Sequence, residues 1–224
     1  MKVSETGQPI TPMSSEKLKK TFTPIPGLNM GLFSPGELAR IIELINEYDV
    51  EKAKITGGGR LALLGIDDSA KNELLKRLEP YTRPHIKNSV TYVQACPGAK
   101  WCKYGVAESL PLGEKLEQLS FAAPLPAKVK VGVAGCRMCC TEPYLRDVGL
   151  IASSKGWTLV FGGNGGGHPR IGEVVAKNLT ESEAVTLVEK CLQFYLENGY
   201  RQSRTARFME RIGIETLKEN VLEK

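Results

Sequence analysis

Four cysteines in two short segments constrain this chain more than any other feature of its sequence. Cys96 and Cys102 lie in ACPGAKWC, and Cys136 and Cys140 lie in GCRMCC, which gives the spacing C-x5-C followed by C-x3-C. Thiolates are soft ligands that suit iron–sulfur clusters, and a cubane cluster takes four of them. Glycines beside the ligands let the backbone approach the cluster and donate N–H bonds to it. The pattern therefore predicts a cluster site, with a structural zinc site or scattered reduced core cysteines as the alternatives.

The remaining two cysteines, Cys139 and Cys191, fit other roles. Cys139 is adjacent to Cys140, which is awkward for ordinary disulfides, and we interpret it as a bystander or a spare ligand. Cys191 falls on the apolar face of a predicted helix and is expected to pack in the core. Six cysteines in 224 residues lack the density of a small disulfide scaffold. We therefore expect a reducing, cytoplasmic location.

The composition is that of an ordinary globular protein, with 42% hydrophobic and 25% charged residues. The N-terminus has no long apolar run, so neither a signal peptide nor a membrane span is expected. The net charge of +5 is modest, and neither a helix-turn-helix pattern nor an aromatic-rich binding strand indicates nucleic-acid binding. An anionic small molecule or cofactor accounts for the positive charge equally well.

Hydrophobic periodicity predicts irregularly alternating helices and short strands, and therefore an α+β or mixed α/β fold. Residues 1–34 are rich in Pro, Gly, Ser and Thr and are expected to form an extended N-terminal arm. Ser34 followed by proline is a helix-start signal. Two short strands, Ala53–Thr56 and Leu61–Leu64, flank three glycines in a hairpin-like pattern.

Two further predictions concern the surroundings of the cysteines. Residues 101–119 are predicted to be helical, which would place Cys102 near a helix start, where the dipole favours an anionic thiolate. Lys128 and Lys130 alternate in KVKVGVAG, which is typical of a strand. Both lysines are therefore expected on the same face of that strand.

Taken together, these segments resemble the sulfite and nitrite reductase family that contains sirohaem and a 4Fe–4S cluster. ACPGAKWC and GCRMCCTEP match the family's two cysteine spacings, and FGGNGGGHPRIGEVVAKNLTESEAV is similar to its Gly-Gly-Asn loop and following helix. The stretch KITGGGRLALLGI resembles the family's ferredoxin-like half-domain. The resemblance extends over roughly residues 35–215. It implies an extended arm, a ferredoxin-like half-domain, a mixed α/β sirohaem and 4Fe–4S domain and a helical tail, at residues 1–34, 35–80, 81–203 and 204–224.

The resemblance also implies an activity and the cofactors that support it. Cys96, Cys102, Cys136 and Cys140 would bind the 4Fe–4S cluster, and Cys140 would be shared with the sirohaem iron. The implied reaction is the six-electron reduction of sulfite to sulfide. Nitrite reduction to ammonia at the same site is one alternative, and a 4Fe–4S electron-transfer protein without oxyanion turnover is another. No flavin or nicotinamide fingerprint is present, so a separate ferredoxin-like or reductase protein is expected to donate electrons.

A substrate oxyanion and the acid groups of sirohaem both need cationic or hydrogen-bonding partners. Lys128 and Lys130 resemble the family's paired active-site lysines, although a solvated strand face would also explain them. The family's active-site arginines are matched less cleanly, so their candidates are Arg60, Arg83 and Lys87. The candidates for contacts with the sirohaem acid groups are Arg137, Asn164, His168 and Arg170.

One departure from the family concerns duplication. The long enzymes of the family contain two copies of a unit made of a half-domain and a cluster domain, whereas this sequence shows one. We therefore expect a symmetric homodimer, because isologous pairing is the commonest replacement for an internal duplication.

Overall fold

The computed structural model describes residues 22–27, 29–83 and 86–222. Most of the predicted extended arm lies outside this described part, so the prediction for residues 1–21 stays untested. The described residues form two β-sheets, each with its own buried hydrophobic cluster. The chain is thus a mixture of helices and sheets, as the periodicity predicts.

The first sheet has three antiparallel strands and contains the predicted glycine hairpin. Its strands lie in the order β1 (Thr23–Pro24), β3 (Leu61–Leu64) and β2 (Lys52–Ile55). Helix α1 (Pro35–Glu47) begins at the predicted position, because Ser34 and Glu37 form a reciprocal capping box. With helix α2 (Asp68–Leu78) it shares a core with the sheet. The most deeply buried side chains of this core are Ile25, Ile41, Leu44, Leu63, Leu74 and Leu78.

The second sheet has five strands in sequential order, and its first three strands are parallel. The last two strands complete it in antiparallel pairing. Valine, leucine and phenylalanine side chains fill its core, as expected for strands buried on both faces. In order, the strands are β4 (Tyr92–Ala95), β5 (Lys130–Ala134), β6 (Val148–Ser153), β7 (Gly156–Phe161) and β8 (Glu173–Leu179).

In the described part of the chain, four helices lie between or after the strands of this sheet. Three short 3₁₀ turns lie between helices or strands. No helix in the described part of the chain is both long and apolar enough to cross a membrane. Cys191 is fully buried in the core of the second sheet, as predicted, and burial raises the pKa of its thiol to about 12. The helices are α3 (Ser109–Glu117), α4 (Glu181–Asn198), α5 (Thr205–Ile212) and α6 (Ile214–Leu222), and the 3₁₀ turns are Asn29–Gly31, Glu79–Tyr81 and Pro143–Leu145.

The parallel strands determine where the functional segments lie. Parallel strands end at the same edge of a sheet, so the two cysteine-bearing loops, which follow β4 and β5, start side by side. At the opposite ends of the same two strands, Tyr92 and Lys130 are paired in register. The cysteine loops and the basic residue Lys130 therefore lie at opposite ends of two short neighbouring strands.

Two local predictions were wrong. The helix expected over residues 101–119 spans Ser109–Glu117, and Cys102 lies in an irregular loop rather than at a helix start. Strand β5 begins at Lys130, so Lys128 precedes the strand and is exposed. Strand β5 starts only at Lys130 because of tertiary hydrogen bonds: the backbone N–H groups of Val129 and Lys130 donate to side-chain oxygens of Thr91 and Asp147.

Helix α4 offers a test of local stability at its start. The Thr180 side chain accepts a hydrogen bond from the Glu183 N–H, and Glu183 accepts one from the Thr180 N–H. Because the cap satisfies N–H groups that have no helical partner, Thr180→Ala is expected to lower the free energy of unfolding by about 1 kcal/mol. Urea unfolding followed by circular dichroism measures this. Thr186→Ala, on the exposed side of the same helix, is the control and should change stability much less.

The same cap gives the pH dependence a definite sign. The backbone and hydroxyl hydrogen bonds from Thr180 lower the pKa of Glu183 below its ordinary value of 4.5. The carboxylate therefore contributes its stabilisation fully above pH 4.5, and the contribution is lost as the pH falls through the lowered value. The difference in stability between wild type and Glu183→Gln should shrink in acid, and a difference that grows in acid would contradict this assignment.

Candidate cluster and anion-binding site

The two cysteine-bearing loops are joined by direct contacts near the sheet edge. The Gly135 N–H donates to Cys96 Sγ at 3.1 Å, and the hydroxyl of Ser109 lies 3.3 Å from the same sulfur. The N–H groups of Val106 and Ala107 donate to the Gly135 carbonyl at 2.8 and 3.3 Å. The segment that carries Cys96 and Cys102 is therefore hydrogen-bonded to the residue that precedes Cys136.

Gly135 makes this close approach possible. A Cβ atom at this position would lie 2.7 Å from the Ala107 carbonyl oxygen and 3.1 Å from Cα of Gly98. Either contact would push the two loops apart. The glycine context of the cysteines thus has a packing role, in addition to the N–H bond that Gly135 donates to sulfur.

The second cysteine pair lies in a tight turn with Cys139. The Cys139 N–H donates to the Cys136 carbonyl at 3.4 Å, and the Glu142 N–H donates to the Cys139 carbonyl at 2.8 Å. Burial raises the pKa of Cys139, and the nearby thiols of Cys136 and Cys140 raise it further. Cys140 itself is exposed. Three thiols of one turn therefore lie within electrostatic reach of one another.

The donor set suits an iron–sulfur cluster. All six cysteines are free thiols, and one of the four predicted ligands already accepts a backbone N–H bond at sulfur. In the described residues, no three or more His, Cys, Asp or Glu side chains are gathered closely enough to hold a metal ion. A zinc ion needs its donors around one atom, whereas the thiolates of a cubane bind four different irons. The wider separation of the thiols is therefore compatible with a cluster.

Three cations surround Tyr92, the first residue of β4, and we call Arg60, Lys130 and Arg146 the Tyr92 cation group. The Arg60 guanidinium lies 5.1 Å and the Lys130 ammonium 5.8 Å from the centre of the Tyr92 ring. Nη1 of Arg146 donates to the Tyr92 hydroxyl at 3.4 Å. The tyrosine is 5% exposed, and the glycine hairpin lies against its ring at Gly58. Two of the predicted catalytic cations, Arg60 and Lys130, thus meet at one aromatic side chain.

Arg146 connects this group to the cysteine turn, although the sequence analysis did not predict it. Its Nε donates at 3.2 Å to the carbonyl of Thr141, the residue after Cys140. Its Nη2 also binds Glu142 at 3.0 Å, but that carboxylate is 62% exposed. The guanidinium of Arg146 is thereby hydrogen-bonded to the residue that follows the proposed fourth cluster ligand.

Several polar atoms at this face have no partner of their own. Arg60 Nε, Gln94 Oε1 and Thr141 Oγ1 are buried and make no hydrogen bond within the described structure. Among the ion pairs in the described part of the chain, none involves Arg60 or Lys130. Because buried polar groups are normally satisfied, the unpaired donors Arg60 Nε and Thr141 Oγ1 indicate room for an anionic ligand, whereas Gln94 Oε1 is an acceptor and needs a donor such as water.

Two of the other predicted catalytic residues, Arg83 and Lys128, lie around a cleft of about 690 Å³. Arg83, Lys128 and Arg60 all line it. The Arg83 guanidinium is engaged by two carboxylates, Glu114 at 2.8 Å and Glu117 at 3.3 Å. Lys87 is exposed and is not among the cleft-lining residues. The structure therefore brings Lys128 and Arg83 near Arg60, but it gives Arg83 an ion-pairing role of its own.

The predicted cofactor-binding residues fall in two places. Arg137 is exposed and, with Cys136, lines a mainly apolar hollow of about 570 Å³. In the glycine-rich loop, Asn164 donates through Nδ2 to the His168 carbonyl at 2.7 Å and pairs with Arg170 through two backbone hydrogen bonds. Arg170 also donates to the Gly162 carbonyl at 2.8 Å and pairs with Glu173. Asn164 and Arg170 thus organise the loop, whereas the exposed side chain of His168 is available to a ligand.

A buried carboxylate fixes the start of β5. Asp147 is fully buried and accepts hydrogen bonds from Thr205 Oγ1 at 2.6 Å, from the Lys130 N–H at 2.8 Å and from both Nε and Nη2 of Arg204. This carboxylate therefore anchors the backbone from which the Lys130 side chain extends toward Tyr92.

Asp147→Asn is expected to lower the free energy of unfolding by about 2 kcal/mol. The substitution leaves the guanidinium of Arg204 without its charge partner, and the partial exposure of Arg204 allows water to offset part of that loss. Denaturant unfolding tests this value. The control is Asp67→Asn, because the exposed Asp67 precedes α2 without forming a side-chain cap, and it should change stability little.

Comparisons with known proteins find sulfite and nitrite reductases. The pattern that defines the "Nitrite and sulphite reductase 4Fe-4S domain" matches residues 87–224. An assimilatory-type sulfite reductase of Nitratidesulfovibrio vulgaris is 42% identical over 204 residues, covering 91% of this chain and 94% of that protein. An NAD(P)H nitrite reductase of Neurospora crassa is 34% identical over 91% of this chain, but the match covers 18% of its own length.

Two solved structures share the fold. Mycobacterium tuberculosis NirA superimposes with a TM-score of 0.68 at 19% identity, over 87% of this chain and 38% of that one. Dissimilatory sulfite reductase I superimposes with a TM-score of 0.77 at 12% identity, over 91% of this chain and 69% of that one. At these identities the likeness concerns the fold alone, and it agrees with the predicted mixed α/β fold.

Proposed function

The chain belongs to the nitrite and sulphite reductase 4Fe–4S domain family, and on that premise we propose that it reduces sulfite to sulfide at a sirohaem coupled to a 4Fe–4S cluster. The relative named as an assimilatory-type sulfite reductase matches along 94% of its own length, so nearly all of it corresponds to this chain. The nitrite reductase relatives match along only about a fifth of theirs. Sulfite is therefore the preferred substrate.

The observation that carries the proposal is the Tyr92 cation group and its link to Cys140. Three positive side chains of one chain meet at Tyr92, and one of them, Arg146, is hydrogen-bonded to the residue after Cys140. An electron carrier would need no such group. An enzyme that reduces an anion needs cations that hold its oxygens and supply protons as they leave as water.

We assign the roles in the site as follows. Cys96, Cys102, Cys136 and Cys140 would hold the cluster, and Cys140, the most exposed of the four, would also be the ligand shared with the sirohaem iron. When bound, the two cofactors would relay to the oxyanion, one at a time, the six electrons that the separate donor provides, and the sirohaem would offer an iron for the oxyanion to bind. Lys130 and Arg60 would bind the oxyanion and compensate its charge, and Lys130 would donate protons through Nζ.

The acid groups of sirohaem would be met by the basic and amide side chains around the site. Arg137 and His168 present exposed side chains for this purpose, and Asn164 and Arg170 hold the glycine-rich loop in shape. Lys128 would line the approach from the open cleft. The net charge of +5 has a physical use in this arrangement, since it offsets the acid groups of the cofactor.

Two further proposals concern an electron donor and a second copy of this chain. We propose a separate electron donor of ferredoxin or reductase type, and a relative named as an assimilatory nitrate reductase electron transfer subunit is 28% identical. The homodimer also remains a prediction. The cations beside the Cys140 turn come from the same chain, so a partner chain is not required to complete the Tyr92 cation group; light scattering of the holoprotein tests the dimer.

The test is turnover with reduced methyl viologen as an artificial donor and sulfite or nitrite as acceptor. We expect the protein to produce sulfide from sulfite. Its kcat/KM for sulfite should be higher than its kcat/KM for the reduction of nitrite to ammonia. A reversed preference would identify the nitrite alternative. A protein that carries both cofactors but reduces neither anion would favour the electron-transfer alternative and contradict the proposal.

A further inference from the structure

Tyr92 offsets part of the charge repulsion within the Tyr92 cation group. Three positive side chains repel one another, and in a partly buried site this repulsion is stronger than in water. The ring of Tyr92 attracts Arg60 and Lys130 at 5.1 and 5.8 Å, and its hydroxyl oxygen accepts a hydrogen bond from Arg146. One side chain thus contacts all three cations and offsets part of their repulsion.

Arg146 reaches Tyr92 because the intervening strand has no side chain in its path. A Cβ atom at Gly132 of β5 would lie 2.9 Å from Cγ of Arg146 and 2.9 Å from the Thr141 carbonyl oxygen. The side chain of Arg146 therefore passes over the bare backbone of β5. It is 13% exposed, and its Nε hydrogen bond to Thr141 holds the guanidinium in place.

The surroundings of Arg146 favour an anionic ligand over a purely structural pairing. Glu142 is its one carboxylate partner in the described part of the chain, and water screens that carboxylate because most of it is exposed. The hydroxyl of Thr141, which can donate a hydrogen bond to an anion, lies buried without a partner in the described structure. The positive charge of the group is therefore largely uncompensated.

We infer that Tyr92 and Arg146 are positioning residues that set the affinity of this site for its oxyanion. Tyr92 holds Arg60 and Lys130 together, and Arg146 adds a third positive charge and ties it to the Cys140 turn. The inference rests on the proposed function. The ligand chemistry is an anionic oxygen, which substrate sulfite and the acid groups of sirohaem share, and we assign the role to substrate.

The experiment compares holoprotein variants by kinetics and by calorimetric titration with sulfite. Arg146→Met and Tyr92→Leu are expected to raise KM and Kd for sulfite about tenfold, with sirohaem content unchanged. Tyr92→Phe keeps the ring and loses only the hydroxyl, so it should change Kd less than threefold. Arg146→Met should also weaken the dependence of Kd on salt. The matched control is Arg40→Met, since Arg40 lies 6.0 Å from the Tyr81 ring, away from this site.

Unchanged Kd and KM in Arg146→Met, with full sirohaem content, would overturn the inference. A loss of sirohaem with normal sulfite affinity per bound haem would also overturn it, because the cations would then serve the cofactor acid groups. Equal effects of Tyr92→Phe and Tyr92→Leu would refute the role of the ring. A wild type that binds sulfite without reducing it would contradict the proposed function alone, because the comparison of Kd values would still decide this inference.

Discussion

Replacing Cys140 by serine is expected to abolish assembly of the coupled site and to lower sulfite turnover by more than about 100-fold. A serine hydroxyl is a poor ligand for iron that thiolates otherwise bind. Changes in groups that only orient metal ligands already cost about 10–100-fold, so loss of a ligand should cost more. If Cys140 is shared between the two centres, the variant loses sirohaem as well as cluster iron. Iron, acid-labile sulfide and sirohaem per chain are the measurements.

Two other cysteines supply the controls for this prediction. Cys139→Ser changes a thiol in the same turn, and Cys191→Ser changes a fully buried thiol in the core far from the turn in sequence. Both variants should keep cluster and sirohaem, although Cys191→Ser places a hydroxyl in an apolar core and should lower stability. If Cys139→Ser lost the cluster while Cys140→Ser kept it, our assignment of the fourth ligand would be wrong.

Lys130→Ala is the second variant with a large expected effect. We expect kcat for sulfite to fall about 10²-fold with both cofactors retained, because the proposed role of the Lys130 ammonium, which lies by the Tyr92 ring, is to compensate charge and donate protons. Lys128 precedes the strand and is exposed, so Lys128→Ala should cost about tenfold or less. Steady-state assays with reduced viologen give kcat and KM for both variants.

The difference between the loss of kcat in Lys130→Ala and that in Lys128→Ala is the most specific outcome expected. The family resemblance treats them as a pair, whereas the structure gives them different surroundings. Equal losses in both variants would mean that Lys128 moves into the site when ligands bind. Full activity of Lys130→Ala would remove Lys130 from the site and, with it, the proposed role of the Tyr92 cation group.

Local sequence signals predicted most of the regular elements. The Ser34 cap and the glycine hairpin each depend on residues a few positions apart, and both are present in the structure. The strands that precede Cys96 and Cys136 were also predictable, because an apolar run bounded by glycine or proline is a strand signal that needs no distant partner.

Elements that depend on distant contacts were not predictable in this way. The segment after Cys96 has helix-like composition, but the N–H groups of Val106 and Ala107 bond to the Gly135 carbonyl instead of to a preceding turn. These tertiary hydrogen bonds, together with those of Thr91 and Asp147 at the start of β5, override local propensity.

Arg146 shows the same limit for the site. Its position depends on the hydroxyl of Tyr92, which is 54 residues away along the chain. It depends also on the absence of a side chain at Gly132, which is 14 residues away. No spacing rule connects the three. By contrast, the cysteines were predictable because each pair lies within one short segment, at the spacings C-x5-C and C-x3-C. The structure therefore adds the connection between the cysteine turn and the cations, which the sequence pattern alone does not give.

The most direct test of the account is the visible absorption spectrum of the anaerobically purified protein, with iron and acid-labile sulfide analysis. The account predicts chlorin-like haem bands above a broad cluster absorption, with about five iron atoms and about four sulfides per chain. A cluster without haem bands, in protein made where sirohaem is available, would contradict the coupled site and favour an electron carrier. A colourless, zinc-containing protein would contradict the cluster assignment itself.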